Sequence, residues 1–447
     1  MHSFLSKYLF YYPVTLLKGE GIGRHLKNYE QFQYFTKEQI SQYQLFHLNK
    51  ILHHAYSKSP YYREVFDKHG VVVDDIRSLE DMKKLPFLSK DDVVTRFSDI
   101  VSSDKRFLVS KKTTGGSTGE AVTILKNADA LARERSATWR SYKWAGVSIG
   151  DAQGRFWGTP LDVGQRLKYK IIDLIANRKR FSAFEINEKR LKLFFEQLEK
   201  FKPAYLYGYV SIIEIFSKYI SDNNLKLPSS IKSVITTSEV LSKSTRDHIE
   251  GALKLKIYNE YGCGEVGSIA HECGDGSMHV MDDNLILEII HDSKNSESGE
   301  IVVTDLFNYA MPIIRYKLGD YASISNESCT CGRTLKTIGN VHGRAYDCII
   351  TEDDKLYHPE IVMYIFEAIK DSIGGIKQFQ VVQEKSNLLC VKIVIDNSVN
   401  SEFIEKYIEK EFKSKLHPKI LTRFEYVDAI PREKSGKLRL IKSMLTR

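Results

Sequence analysis

Apolar residues recur at helical spacing over 36–57, where Leu45, Leu48, Leu52 and Ala55 share one face and Thr36 with Gln39 forms a capping box. Pro60 predicts a break directly afterwards. Short helical pieces are expected over 78–96, around Pro86. The middle of the chain alternates between strand-like runs and helical stretches at 127–142, 189–201, 211–220 and 242–254, the last following the strand-like SVITTS at 233–238. That alternation predicts sheets covered by helices. From 285 the pattern turns to strands, LILEII, EIVVTDL and YASIS, separated by polar turns. The last hundred or so residues predict a helix over 359–370, strands at 378–384 and 389–395, a helix over 401–415 and a strand at 423–427. This order suits a small α+β unit. The expected fold class is therefore α/β, with a large multi-sheet N-terminal domain at 1–342 and a small α+β C-terminal domain at 343–447.

Composition narrows the function. The chain has 447 residues, 42% hydrophobic and 27% charged, which fits a soluble globular protein. A net charge of +8 suits anionic small ligands such as nucleotides and is too weak to argue for nucleic acid. The N-terminal apolar run Leu9–Leu17 is interrupted by Pro13 and leads into the charged stretch Lys18–Arg24. It falls short of the ~20 residues that span a bilayer and has no cleavage pattern. A cytoplasmic protein without a transmembrane segment is expected, with weak membrane association of this aromatic stretch left open.

Four segments carry candidate chemistry. Residues Thr113–Glu120 hold three glycines and four hydroxyl residues within seven positions. Glycines admit backbone N–H groups to phosphate oxygens and hydroxyls add donors, but the Walker A spacing is absent. The turn at 259–265, Asn-Glu-Tyr-Gly-Cys-Gly-Glu, offers an aromatic ring for a base and a carboxylate for Mg²⁺. Asp320 closes Arg-Tyr-Lys-Leu-Gly-Asp, where a carboxylate can accept hydrogen bonds from ribose hydroxyls. Lys437, in Pro431–Lys437, can place one cation at developing phosphate charge. Taken singly, each equally fits an ordinary loop, turn or basic tail.

Six cysteines in this length exclude a disulfide scaffold. Cys329 and Cys331 form a C-x-C-G-R knuckle, and Cys273 and His279 lie six apart upstream. Together they make a Cys₃His set suited to structural Zn²⁺. His271 is the competing imidazole, and buried free cysteines are the alternative to a metal. Cys263, Cys348 and Cys390 read as core residues.

Taken together and in order, these segments resemble the adenylate-forming superfamily, within it the phenylacetate–CoA ligase family, and most closely its capsular-polysaccharide (CapK-like) branch. The resemblance rests on TTGGSTGEAV at 113–122, TTSE at 236–239, NEYGCGEVG at 259–267, RYKLGD at 315–320, HGRAYD at 342–347 and PREKSGKLR at 431–439. It extends over nearly the whole chain, including PYYR at 60–63 and KLPFLSKDD at 84–92. It implies an adenylate-forming ligase fold whose small C-terminal domain is mobile about the 342–347 hinge. By that resemblance Thr114, Gly115, Gly116, Ser117, Thr118 and Gly119 hold the ATP phosphates, and Ser238 and Glu239 mark the adenine side. Tyr261 stacks on adenine, Glu265 holds Mg²⁺, Asp320 binds ribose, Arg344 approaches the nucleotide, and Lys437 stabilises the adenylation transition state. Trp157–Pro160 and Tyr207–Tyr209 fall where the acid pocket is expected.

The implied partners are ATP, a small carboxylic acid and an acceptor, a sugar, an amine or CoA. The expected activity is transfer of an acyl group from acyl-AMP to an amine or hydroxyl in cell-surface polysaccharide biosynthesis. An acid–CoA ligase is the alternative, and an inactive nucleotide-binding protein a weaker one. Three positions depart from the family's pattern. No lysine follows the phosphate loop, Gly264 stands where Thr or Ser is usual, and Tyr346 takes the hinge Asp position, with Asp347 following.

Overall fold

The computed structural model describes the chain apart from residues 1, 115–121, 159–162, 183–185, 292–297, 326–328, 343–348, 354, 358–360, 363–364, 367, 370–374, 396–400, 431–439 and 446–447. The capping box at Thr36 is formed and opens the helix Lys37–Lys58, which buries Leu48, Ile51, Leu52 and Ala55. Pro60 does end that helix, but it also starts the next one, Pro60–Lys68, from its first turn, where a missing N–H costs nothing. The stretch around Pro86 contains a 3₁₀ helix, Leu79–Lys84, and a short α-helix, Lys90–Thr95.

The first strands, β1 (Val109–Thr114) and β2 (Val122–Asn127), pair antiparallel as an isolated hairpin. The body of the protein is one sheet of eleven strands among the described residues. Its parallel half comprises β3 (Gln153–Trp157), β4 (Arg178–Ser182), β5 (Tyr205–Tyr209), β6 (Ser233–Thr237) and β7 (Ile257–Cys263). The helices Val163–Ile175, Glu188–Phe201, Val210–Asp222 and Lys243–Leu253 make the crossovers. β8 (Gly267–Glu272) then reverses against β7. The sheet continues antiparallel through β9 (Met278–Val280), β10 (Leu285–Ile290), β11 (Ser298–Asp305), β12 (Tyr316–Ile324) and β13 (Thr337–His342), in the order β10-β11-β12-β13-β9-β8-β7-β6-β5-β3-β4. The strand-rich region after 285 therefore extends the parallel sheet rather than forming a separate one.

The reversal between β7 and β8 depends on Gly267. Its φ of +90° is strained for any residue with a side chain, and a Cβ there would overlap the Glu134 carboxyl. On one sheet face Phe156, Phe181, Leu206, Val234 and Ile257 pack under the crossover helices with Phe194 and Phe216. Full burial of each such side chain contributes about 1.5–3 kcal/mol. After residue 349 a four-stranded sheet has its own core. It consists of β16 (Ile376–Lys385), β17 (Leu388–Ile395), β18 (Leu421–Tyr426) and β19 (Ile441–Ser443), following the small β14–β15 pair (Ile349–Ile350, Leu356–Tyr357). The helix Ser401–Lys415 covers it through Ile404, Ile408 and Phe412, and Phe366 stacks on Phe379 at 3.8 Å.

Candidate functional site

The C-terminal ends of β3, β5, β6 and β7 converge on one edge of the sheet, where open parallel sheets bind ligands. Ser238 leaves β6 with φ +69°, a left-handed conformation that is costly for serine. The turn it makes delivers Glu239 to the start of the helix Val210–Asp222. There the carboxylate accepts hydrogen bonds from the Ser211 amide (2.6 Å) and hydroxyl (3.0 Å). A carboxylate suits that helix end electrostatically.

Two segments more than fifty residues apart meet at this edge. The Tyr261 hydroxyl donates to Asp320 Oδ2 at 3.0 Å, and the Tyr316 hydroxyl lies 3.5 Å from Glu265 Oε1. β12 is held in place by Arg315 just before it. Arg315 is buried with φ +49°, donates twice to Glu288 (3.0 and 2.9 Å), and donates to the Leu85 carbonyl. Sequence reading names Asp320 in this stretch and misses the role of Arg315, whose meaning depends on a carboxylate 27 residues away.

Thr114 ends β1 and Val122 starts β2, so the glycine-rich segment joins the two strands of the hairpin. Gly115, Gly116, Ser117, Thr118 and Gly119 lie outside the described residues, as do Arg344 and Tyr346 in the hinge segment and Lys437. The hairpin is tied down by a buried charge network that no motif announces. Glu134 accepts from Lys112 (2.7 and 2.9 Å) and Lys126 (2.9 Å), and Lys126 also lies 3.2 Å from Asp305. Burial alone would raise the Glu134 carboxyl, but the two ammonium groups outweigh it and hold the pKa down to about 2. Burial opposes charge on Lys126 as well, yet its two carboxylate partners raise its pKa. Because Glu134 also lies against Gly267, one carboxylate links the base of the hairpin to the turn that carries Glu265.

The aromatic clusters gather at the C-terminal ends of β3 and β5. Trp157 stacks on Tyr209 (4.2 Å between centroids) and on Tyr207 (5.7 Å). The Arg155 guanidinium lies over Trp157 and Tyr207, 4.4 and 4.8 Å from their centroids. Glu260, beside Tyr261, receives the Tyr142 hydroxyl at 2.9 Å. Burial pushes its carboxyl up. Thr159 and Pro160 lie outside the described residues.

The four metal-ligand candidates converge, with ligand atoms all within 4.8 Å of one another. Cys273 Sγ lies 3.5 Å from Cys329 Sγ, and Cys331 Sγ lies 3.3 Å from His279 Nε2. Ligands about 2.0–2.3 Å from a tetrahedral zinc would sit roughly 3.5–3.7 Å apart, so the set fits that ion. His279 Nδ1 is 3.2 Å from the Leu335 carbonyl, which directs Nε2 at the thiols. Burial lowers the His279 pKa to about 4, leaving the neutral imidazole a metal needs. Backbone amides of Asp275 and Cys331 donate to Cys273 and Cys329 sulfurs, each at 3.4 Å. Gly332, at φ +78°, makes the knuckle turn. His271 is not part of the set; its Nδ1 faces the Glu272 carbonyl at 2.9 Å. Cys390 is buried as expected, Cys263 only half-buried, and Cys348 lies outside the described residues.

Residues 349–444 match the family model described as the CapK C-terminal domain. The chain is 26% identical to Protein CapK of Staphylococcus aureus over 85% of its own length and 84% of the relative's. It is 23% identical to the phenylacetate-coenzyme A ligase of Thermus thermophilus over 80% and 81%. Its fold is similar to that of 2-hydroxyisobutyryl-CoA ligase solved with 2-HIB-AMP and CoA in the thioesterification state. That match has TM-score 0.63 and 19% identity and covers 92% of this chain and 91% of the other. The fold and these relatives define the class, an adenylate-forming (AMP-forming) ligase. Within the class, the chain is similar to the phenylacetate–CoA ligases and to Protein CapK, whose C-terminal domain model matches its own C-terminal residues.

Proposed function

We propose that the protein activates a carboxylic acid with ATP and transfers the acyl group to an amine or hydroxyl acceptor in cell-surface polysaccharide biosynthesis. The observation that carries the nucleotide reading is the meeting of Tyr261 with Asp320, and of Tyr316 with Glu265, at the ligand-binding edge of the sheet. In the first step an oxygen of the substrate carboxylate attacks the α-phosphorus. The bond from that phosphorus to the bridging oxygen breaks, and pyrophosphate leaves with the electron pair. No proton need move, so positioning and charge neutralisation supply the rate.

Tyr261 faces the adenine, with Ser238 and Glu239 shaping the adenine side. Asp320 accepts from the ribose hydroxyls, and Arg344 approaches the nucleotide. Residues 114–119 cradle the phosphates. Glu265 would hold Mg²⁺, which neutralises phosphate charge when bound. Its half-exposed carboxylate is the oxygen ligand such an ion prefers. Lys437 acts from the C-terminal domain, 343–447, which turns about the hinge once the acyl-AMP has formed. The stacked Trp157, Tyr207 and Tyr209 line the acid pocket, where Arg155 gives the wall a positive charge.

Two acceptors compete. The sequence resemblance to the capsular-polysaccharide branch favours an amine or hydroxyl, and the likeness to a phenylacetate-coenzyme A ligase favours CoA. With an activating acid in hand, AMP release is measured on adding amino sugars, amino acids or CoA. Acceleration by an amine or sugar is expected. Acceleration by CoA alone, with a thioester as product, overturns the acceptor assignment.

Zinc held by Cys273, His279, Cys329 and Cys331 pins the loop after β8 to the knuckle before β13, so metal binding adds to folding stability. The full chain should purify with near-stoichiometric zinc. Cys329→Ser should lower metal affinity roughly tenfold or more and reduce the melting temperature. Metal-free protein with an unchanged melting temperature would defeat this.

A further inference from the structure

Residues 3–17 form one continuous helix, with a π-type stretch at Ser6–Tyr11 between two α-helical ends. Its inner face is fixed to the body of the protein. Ser6 and Thr15 are buried, and the Trp139 indole donates to the Tyr11 hydroxyl at 2.7 Å. The Ser3 carbonyl lies so close to Gly150 that a Cβ there would overlap it. The opposite face is where a helix on a globular protein should carry polar residues. Here it carries Phe4 (60% exposed), Leu9 (62%), Leu16 (70%) and Leu17 (87%).

The apolar surface continues beyond this helix at both ends. Leu108, 68% exposed, lies beside Gly19, and the neighbouring helix Val163–Ile175 adds Leu174, 66% exposed. The two helices touch where the Ser6 hydroxyl meets the Ile175 carbonyl at 3.4 Å. Patches of this kind mark a binding surface. Charge identifies what binds. Residues 1–19 contain Lys7 and Lys18 and no aspartate or glutamate. Lys170, exposed, precedes Asp173, an acid of the neighbouring helix that is paired with Arg180 at 2.9 Å. An outward apolar face rich in phenylalanine, tyrosine and leucine, bordered by cations, is the chemistry of a helix lying in a bilayer interface. Among the described residues no helix is long and apolar enough to cross a membrane.

We infer that this helix, with the exposed side of Val163–Ile175, docks the protein on the surface of an anionic phospholipid bilayer. The helix lies flat, its leucines and Phe4 enter the acyl boundary, and Lys7 and Lys18 meet lipid phosphates. The contact does not depend on which acid is activated or on which acceptor is used.

Vesicle co-sedimentation of the full chain tests it, with phosphatidylcholine vesicles containing or lacking phosphatidylserine. Binding is expected to the anionic vesicles, weaker to the neutral ones, and weaker again at high salt. The double variant Leu9→Glu/Leu17→Glu should lower partitioning about tenfold or more. Its melting temperature should not change, because both side chains already face water. Wild-type protein that stays in the supernatant with both vesicle types overturns the inference, and so does a variant that binds as well as wild type. A concentration-dependent dimer that the variant breaks also overturns it, because the face is then covered by a second copy.

Discussion

Lys437→Ala lowers acid-dependent pyrophosphate release by roughly 10²–10³-fold, the usual loss when one preorganised charge is removed from a developing oxyanion, while ATP affinity changes little. In the transition state, negative charge builds on the α-phosphate and on the bridging oxygen that departs. A single ammonium on the glycine-containing segment Ser435-Gly436-Lys437 would meet that charge as a compact donor. Lys437→Arg recovers only part of the rate, since a planar fork cannot take the place of a point charge. Single-turnover pyrophosphate release together with equilibrium ATP binding separates the two effects. An unchanged rate in Lys437→Ala removes this residue from the chemistry.

Lys126→Met costs about 3–5 kcal/mol of folding stability, the scale seen when one partner of a buried ion pair is removed. The Lys126 side chain is fully buried between Glu134 and Asp305, whose side chains are 14% and 2% exposed. Without the ammonium both carboxylates remain in a low-dielectric site, with only Lys112 left to answer Glu134. The urea midpoint measures the loss, and adding Glu134→Gln should recover part of it by removing one stranded charge. Lys83→Met serves as the control. Its partner is the exposed Glu80, so no measurable loss is expected. If Lys126→Met behaves like that control, the network does not hold the hairpin in place.

Much of the fold is visible in the sequence where one physical signal dominates. Thr36 and Gln39 announce a capped helix, and the alternation from 127 to 254 announces sheets covered by helices, though not that their strands run parallel. The continuation of the sheet past β8 is not visible, because strand order depends on pairings such as Tyr261 with Ala270 that no local pattern encodes. The metal set shows the same division. Spacing selects Cys273, Cys329 and Cys331, but the choice of His279 over His271 follows from side-chain direction and from the Leu335 carbonyl. Glu134, Lys126 and Arg315 escape notice because a lone charge in a sequence looks solvated until its partners, distant along the chain, surround it. The outward apolar face of residues 3–17 is hidden for a related reason. Periodicity shows that a helix is amphipathic but not which side meets the protein.

The most direct measurement is pyrophosphate release from ATP and Mg²⁺ across aryl, fatty, amino and uronic acids, with no acceptor present. Release that depends on one class of acid, and that disappears in Lys437→Ala, is the outcome expected of an adenylate-forming enzyme with this site. No release with any acid, from protein that still binds ATP, would mean that the nucleotide site serves binding alone.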